Sequence, residues 1–239
     1  MSMEIIKSIN DITALKANVV SIWGLQISAI DFKVDMLYEI LNREERKKAD
    51  HYHDRLKRNT SILARGALRI LMSTHLKCKP SDLLFYRNRS GKPYLKDVPF
   101  SFNVAHSQDW IIIAIGLNNN LGVDLEAIRS RINIQKAAKR YFSSEEQKIL
   151  STCENPRRLF FDLWAHKEAL IKAKGDRLLT SIKSINIPIV NESIPIGCSI
   201  DKWNFYSIEA GSKYAAAVAV DKKIDHFPCY DFGALEWEN

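Results

Sequence analysis

The chain has 239 residues, 46% of them hydrophobic and 26% charged, which supplies core for one large globular unit or two closely packed halves. Nine glycines and seven prolines are too few for a fibrous or disordered protein. The formal charge of +7 points to an anionic partner, and nucleic acid, a phosphorylated cofactor or an acidic protein would each answer to it.

Cys78, Cys153, Cys198 and Cys229 are scattered, with no CxxC spacing, which argues against both a zinc site and a disulfide-dense secreted scaffold. Glu4 and Lys7 interrupt the apolar residues of the opening MSMEIIKSIND, so no signal-peptide core forms there. The longest apolar run, Trp110 to Leu117, is far short of the ~20 residues needed to span a bilayer. These features predict a soluble, cytoplasmic protein with no membrane partner.

In chain order, the β-branched stretch Asn18 to Ile27 predicts a first strand, and Asp31 to Ile40 a connector with some helix. Asn42 to Arg58 carries seven Lys or Arg against four acids. Charge this dense on a helix is either a solvated face or a docking place for phosphate. His51 and His53 form an HxH pair, but i and i+2 diverge on a helix, so they read as surface histidines. Asn59 to Leu76 is an amphipathic helix by the spacing of Ile62, Leu63, Leu68, Ile70, Leu71 and Met72.

A short strand at Leu83 to Arg87, a turn at Asn88 to Pro93, and strands at Ser101 to Ala105 and Trp110 to Gly116 follow. His106, Ser107, Gln108 and Asp109 fill the linker between the last two. In Leu121 to Ile128, Asp124 and Glu126 alternate with Val123 and Leu125, so both carboxylates leave one face of a strand. They repel each other unless a cation or strong donors lie between them, and a hard ion such as Mg²⁺ takes oxygen ligands of this kind. A strand face standing in water is the plainer alternative.

Asn133 to Arg140 is helical, and Ser143 with Glu146 makes a capping box at the start of another helix. In Arg158 to Leu178, the residues Phe161, Trp164, Glu168, Ile171, Lys172 and Gly175 share one helical face. Glu168 and Lys172 are either an ordinary i, i+4 pair or part of a site wall, and Gly175 ends the helix as a C-cap. Strands are expected at Ser181 to Val190, Trp203 to Ile208 and Tyr214 to Val220, and an irregular tail from Asp221 to Asn239. Each half thus offers a long helix and two or three strands, a faint sign of internal duplication. With no low-complexity linker between them, the halves should pack as one unit.

Taken together, Gly122-Val-Asp-Leu-Glu126 and Phe161-x-x-Trp164-x-x-Lys167-Glu168-Ala169-x-x-Lys172-x-x-Gly175 resemble the 4′-phosphopantetheinyl transferases. So do Gly91-Lys-Pro93 and Phe102-Asn-Val-Ala-His-Ser107, which precede them in that order along the chain. The length is similar to the surfactin-type branch, in which two similar α+β halves with pseudo-twofold symmetry share one chain. The resemblance implies an N-terminal half, residues 1–118, on the nucleotide side and a C-terminal half, residues 119–239, holding the metal motifs, with the protein acting as a monomer.

The implied reaction moves phosphopantetheine from coenzyme A to a serine of an apo acyl or peptidyl carrier protein and releases 3′,5′-ADP. By the same resemblance Asp124, Glu126 and Glu168 would hold Mg²⁺ or Mn²⁺, and Lys172 would face the pyrophosphate. Glu168 would be the base, with Glu146 the second candidate. Trp164 would pack the helix in place, while Lys167 lies one residue off the Trp164–Glu168–Lys172 line. His106, Lys92, Lys47 and Arg58 would bind coenzyme A, with Arg46 and Lys48 as alternatives should the alignment slip by one. Ala105 departs from the family's usual Ser or Thr, which removes one hydroxyl contact to phosphate.

Two other readings explain less. A nucleic-acid-binding module accounts only for the basic surplus and lacks a recognition motif. Another Mg²⁺-dependent phosphate enzyme would use the same carboxylates, but no GxxxxGK[ST] loop occurs. Acidic carriers serve fatty-acid, polyketide and peptide synthesis alike, and a basic rim would attract any of them.

Overall fold

The computed structural model describes residues 3–12, 14–175 and 182–236. Its first half runs β1 (Val20–Gln26), α1 (Val34–Glu39), α2 (Arg43–Asp50), α3 (Arg55–Leu76), β2 (Phe85–Arg87), β3 (Pro93–Leu95), β4 (Phe100–Ser107) and β5 (Trp110–Leu117). The second runs β6 (Leu121–Ala127), α4 (Ile134–Tyr141), α5 (Ser144–Thr152), α6 (Pro156–Lys174), β7 (Ser199–Ile200), β8 (Trp203–Ile208), β9 (Tyr214–Val220) and β10 (Cys229–Asp231). This is the α+β class that the sequence predicts.

One sheet has the order β10-β1-β5-β4 and another β6-β9-β8-β7. Side chains alternate across a strand, and the continuous apolar run of β5 is explained by burial on both faces. Ile111, Ile113 and Ile115 pack with Trp23 and Leu25 under Ile62, Leu63 and Leu71 of α3. Ile112 and Ala114 turn the other way, into a cluster shared with Val123 and Leu125 of β6 and Val218 of β9. On the far side of the second sheet, Leu163 and Leu170 of α6 lie over Ala215, Ala217 and Ala219 of β9, small residues that let the helix sit close.

Helix ends follow their caps. The basic stretch is two helices rather than one. Asn42 and Glu45 form a capping box at the start of α2, and Asp54 accepts from the Lys57 amide at the start of α3. His51 and His53 between them are exposed, as surface histidines should be. Asn133 caps α4, and Ser143 and Glu146 make the expected capping box on α5. Gly175, at φ +70°, ends α6 by accepting the left-handed geometry, which glycine adopts without steric cost.

Three expectations are corrected. Of the strand expected at Ser181 to Val190, Ser181 lies outside the described residues. Ile182–Ser184 is a single 3₁₀ turn, and Val190 makes only an isolated bridge to Ser193. Ile185 and Ile187 alternate as a strand would, but they are anchors buried against the α6 core. The tail is also not wholly irregular, since β10 pairs in parallel with β1, Trp23 opposite Tyr230, and so returns to the first sheet. Residues 237–239 and the last residues of the stretch Arg158 to Leu178 (176–178) lie outside the described part. Finally, His106 and Ser107 belong to β4, and the turn to β5 is only Gln108 and Asp109.

No helix among the described residues is long and apolar enough to cross a membrane.

Candidate active site

The close approach of β6 to α6 makes the site. A Cβ on Gly122 would stand 2.2 Å from the Ala169 carbonyl oxygen and 2.3 Å from the Ala173 nitrogen. Only glycine lets the strand lie this near the helix backbone. The strand's next side chains on that face are Asp124 and Glu126, and the helix presents Trp164, Glu168 and Lys172 to them.

Asp124 is 5% exposed. Its Oδ1 accepts a hydrogen bond from Lys172 Nζ at 2.6 Å, and the same ammonium donates to the Val123 carbonyl at 3.2 Å. Lys172 therefore reaches across to the strand carboxylate rather than forming an i, i+4 pair with Glu168. Asp124 Oδ2 is buried without a hydrogen-bond partner. Burial, then the Asp124 charge, pushes the Glu126 carboxyl up to about 7, opposed by Arg129, Lys172 and a hydrogen bond from Trp164. Glu168 is likewise raised to about 7, by burial and by Asp124 and Glu126, with Lys172 opposing.

As the side chains stand, no three His, Cys, Asp or Glu groups among the described residues converge on one point closely enough to hold an ion, and the cation on Asp124 is the Lys172 ammonium. The donor set nevertheless fits a hard divalent ion. All three groups offer carboxylate oxygens, one oxygen of Asp124 is buried and unpartnered, and burial, with like charge adding to it, raises both glutamates. A dication is the counter-charge this arrangement lacks.

The basic wall differs from expectation by one residue. The ring of His106 is held below its usual pKa by burial and by Lys172 and Lys48, with Asp124 opposing. Burial and the charges of Arg87 and Arg65 lower Lys48 in turn. Lys48, Arg65 and Arg87 thus form one positive field beside the His106 ring, in which Arg65 Nη1 is buried and unpartnered while its Nε pairs with Glu45 at 3.4 Å. Lys47 instead lines a surface depression with Leu41, Arg43 and Asp50. One residue on a helix is a turn of about 100°, so a slip of one in alignment exchanges the face. Arg46 is committed to Glu39 and the Leu41 carbonyl. Arg58 is committed to Asp50 at 3.1 Å and to the Tyr38 ring.

Two further residues have jobs other than those expected. Glu146 is 2% exposed, and its oxygens accept from the Ser143 amide, from Lys167 Nζ at 2.6 Å and from the Ile187 amide at 3.4 Å. Its carboxylate holds α5, α6 and the 182–187 segment together, with the Lys167 ammonium as its buried counter-ion. Lys92 lines a cleft of about 420 Å³ with Pro93, Tyr94 and Gly175. Its ammonium donates to the Leu121 carbonyl at 2.7 Å and the Ala173 carbonyl at 3.3 Å, a tie between β6 and the end of α6.

Residues 28–117 match the 4′-phosphopantetheinyl transferase N-terminal family, and residues 120–219 match the 4′-phosphopantetheinyl transferase superfamily. The 4′-phosphopantetheinyl transferase HetI of Nostoc is 26% identical over 212 residues, 86% of this chain and 89% of its own. A putative 4′-phosphopantetheinyl transferase of Synechocystis, slr0495, is 36% identical over 178 residues, 70% of this chain and 72% of its own. The chain belongs to the 4′-phosphopantetheinyl transferase superfamily.

Within the superfamily this transferase falls in the surfactin-type branch. The Bacillus subtilis 4′-phosphopantetheinyl transferase Sfp is 27% identical over 187 residues, 75% of this chain and 82% of its own. In the transferase, Trp164 has a packing role, with its ring against Tyr141 and Phe160, and its indole is among the groups that oppose the rise of the Glu126 carboxyl. Sequence reasoning gave no role to Asn103, Ser107, Arg65 or Arg87. For the first two, position inside a motif was the available signal. For the arginines, only the fold brings them beside Lys48.

Proposed function

We propose that this transferase moves the phosphopantetheine arm of coenzyme A onto a serine hydroxyl of an apo acyl or peptidyl carrier protein and releases 3′,5′-ADP. The observation that carries the reading is the meeting of Asp124, Glu126, Glu168 and Lys172 between β6 and α6. The serine oxygen forms a bond to the phosphorus bearing the pantetheine arm. The bond from that phosphorus to the oxygen of the ADP moiety breaks, and the leaving phosphate takes up the charge.

Asp124, Glu126 and Glu168 would hold Mg²⁺ or Mn²⁺, which when bound neutralises charge on the pyrophosphate and aligns its oxygens. Lys172 adds a fixed cation next to that charge, where a preorganised donor counts most. Glu168 takes the serine proton, Glu146 being occupied in the core. Lys48, Arg65 and Arg87 give the nucleotide's phosphates a positive wall, and His106 stands beside it as a neutral hydrogen-bonding ring. The nucleophile is the substrate's own serine, so the enzyme needs none. A basic surface suits an acidic carrier, and the described motifs of both halves lie in one chain, consistent with a monomer.

The test is a mixture of the transferase, an apo carrier protein, coenzyme A and Mg²⁺, sampled for 3′,5′-ADP with and without a chelator. Release that needs both the carrier and the metal supports the proposal. Release without a carrier would make the protein a hydrolase, and release unaffected by the chelator would remove the metal.

A further inference from the structure

β6 is the edge strand of its sheet, paired with β9 on one side. Its other edge faces β4, itself the edge of the first sheet. An edge strand carries a row of backbone groups with no ladder partner, and buried groups of this kind must find one. Here side chains supply them. Asn103 Oδ1 accepts from the Val123 amide at 2.9 Å, and Ser107 Oγ accepts from the Ala127 amide at 3.0 Å. Both side chains are buried, at 7% and 5% exposure.

The spacing is the telling feature. Asn103 and Ser107 are four residues apart on β4, and the amides they take are four apart on β6, with the same offset of 20 residues in both bonds. The two side chains act as rungs across the seam between the halves, and Asp124 and Glu126 lie between the rungs. The seam thereby sets the position of the carboxylate strand along its own axis, while the Gly122 contact sets its distance from α6.

We infer that Asn103 and Ser107 are positioning residues for the carboxylate pair, bracing the strand on either side of Asp124 and Glu126 so that both meet Glu168. This rests on the metal reading proposed above. Groups that orient ligands commonly control metal affinity although they never touch the ion, and sites of this kind tolerate errors of only about 0.5 Å. Neither side chain need contact coenzyme A for the effect.

The experiment measures Mn²⁺ uptake by electron paramagnetic resonance, with coenzyme A present, for the wild type, Asn103→Ala, Ser107→Ala and Ser101→Ala. Ser101 is the control. It lies on the same strand and donates to Asn119 Oδ1 at 2.5 Å, so its loss removes a hydrogen bond from β4 away from the carboxylates. Thermal melting of each variant identifies the folded ones, and Ser107→Ala is the smallest change. The expected result is that wild type and Ser101→Ala bind alike, while Ser107→Ala and Asn103→Ala bind about 10–100-fold more weakly. Equal binding by folded Ser107→Ala and wild type would overturn the inference alone, as would an equal loss in Ser101→Ala. A wild type that takes up no Mn²⁺ would overturn the metal reading and this inference with it.

Discussion

Gly122→Ala is the sharpest perturbation of the site that leaves every functional group in place. The added carbon would meet the Ala169 oxygen at 2.2 Å, the Ala173 nitrogen at 2.3 Å and the Lys172 carbonyl carbon at 2.9 Å. All three are backbone atoms, so none can rotate away, and α6 and β6 must separate. Overpacking typically costs about 1–3 kcal/mol, and a contact with backbone on every side belongs at the top, about 3 kcal/mol. For a chain of this length each kcal/mol lowers the melting temperature by about 2–4 °C, so a fall of about 6–12 °C is expected. The same displacement pulls Asp124 from Lys172, now 2.6 Å apart. A shift of about 1 Å can cost on the order of 10²-fold in rate. Differential scanning calorimetry and transfer kinetics on the folded variant read the two effects. A variant melting within about 2 °C of wild type with undiminished rate would refute the reasoning.

Other outcomes follow from the same geometry. Asp124→Ala, Glu126→Ala and Glu168→Ala should abolish transfer while circular dichroism stays native, and full Mg²⁺-dependent activity in any of them would contradict the site. Lys172→Ala should lower kcat by about 10²–10³ with a smaller change in KM for coenzyme A, and equal changes in both would argue against a role in the transition state. Lys167→Met strands the buried Glu146 charge and should cost about 3–5 kcal/mol in urea unfolding. The double variant Glu146→Gln/Lys167→Met should recover part of that and keep its kcat, and a stable but inactive double variant would restore Glu146 to the chemistry. Burial lowers Lys92 from 10.5 to about 8, so between those values the unfolded chain binds more proton than the folded one. Stability relative to Lys92→Met should therefore rise as pH increases from about 8 towards 10.5, and urea melts showing a fall would contradict the burial of this ammonium.

How much of this was legible in the sequence depended on how local the cause was. The helices α3 and α6 announced themselves by apolar spacing, and the Ser143–Glu146 box at the start of α5 and Gly175 at the end of α6 were marked by chemistry that acts within one turn. The carboxylate pair was visible because alternation places Asp124 and Glu126 on one face whatever the partner. Non-local causes were hidden. The alternation of Ile185 and Ile187 resembles a strand, yet their role is to plug the α6 core, and the Ile187 amide goes to Glu146 instead of a ladder. The parallel pairing of β10 with β1 spans most of the chain, and three residues carry too little pattern to reveal it.

In the site, Glu146 reads as the second candidate base, but charges that neutralise each other inside a core, as Glu146 and Lys167 do, look the same in sequence as charges in a cleft. Lys47 and Lys48 could not be told apart until the face of α2 was known. Lys92 shows the same limit. A lysine in a loop reads as a phosphate ligand, whereas its ammonium ties two elements of the second half through their carbonyls.

The most direct test of the central claim is the intact mass of an apo carrier protein after incubation with coenzyme A, Mg²⁺ and either wild type or Asp124→Ala. The account predicts a gain of one phosphopantetheine arm, mapped to a serine of the carrier, with wild type alone. A carrier left unmodified by wild type across acyl and peptidyl carriers, or modified equally by Asp124→Ala, would contradict it.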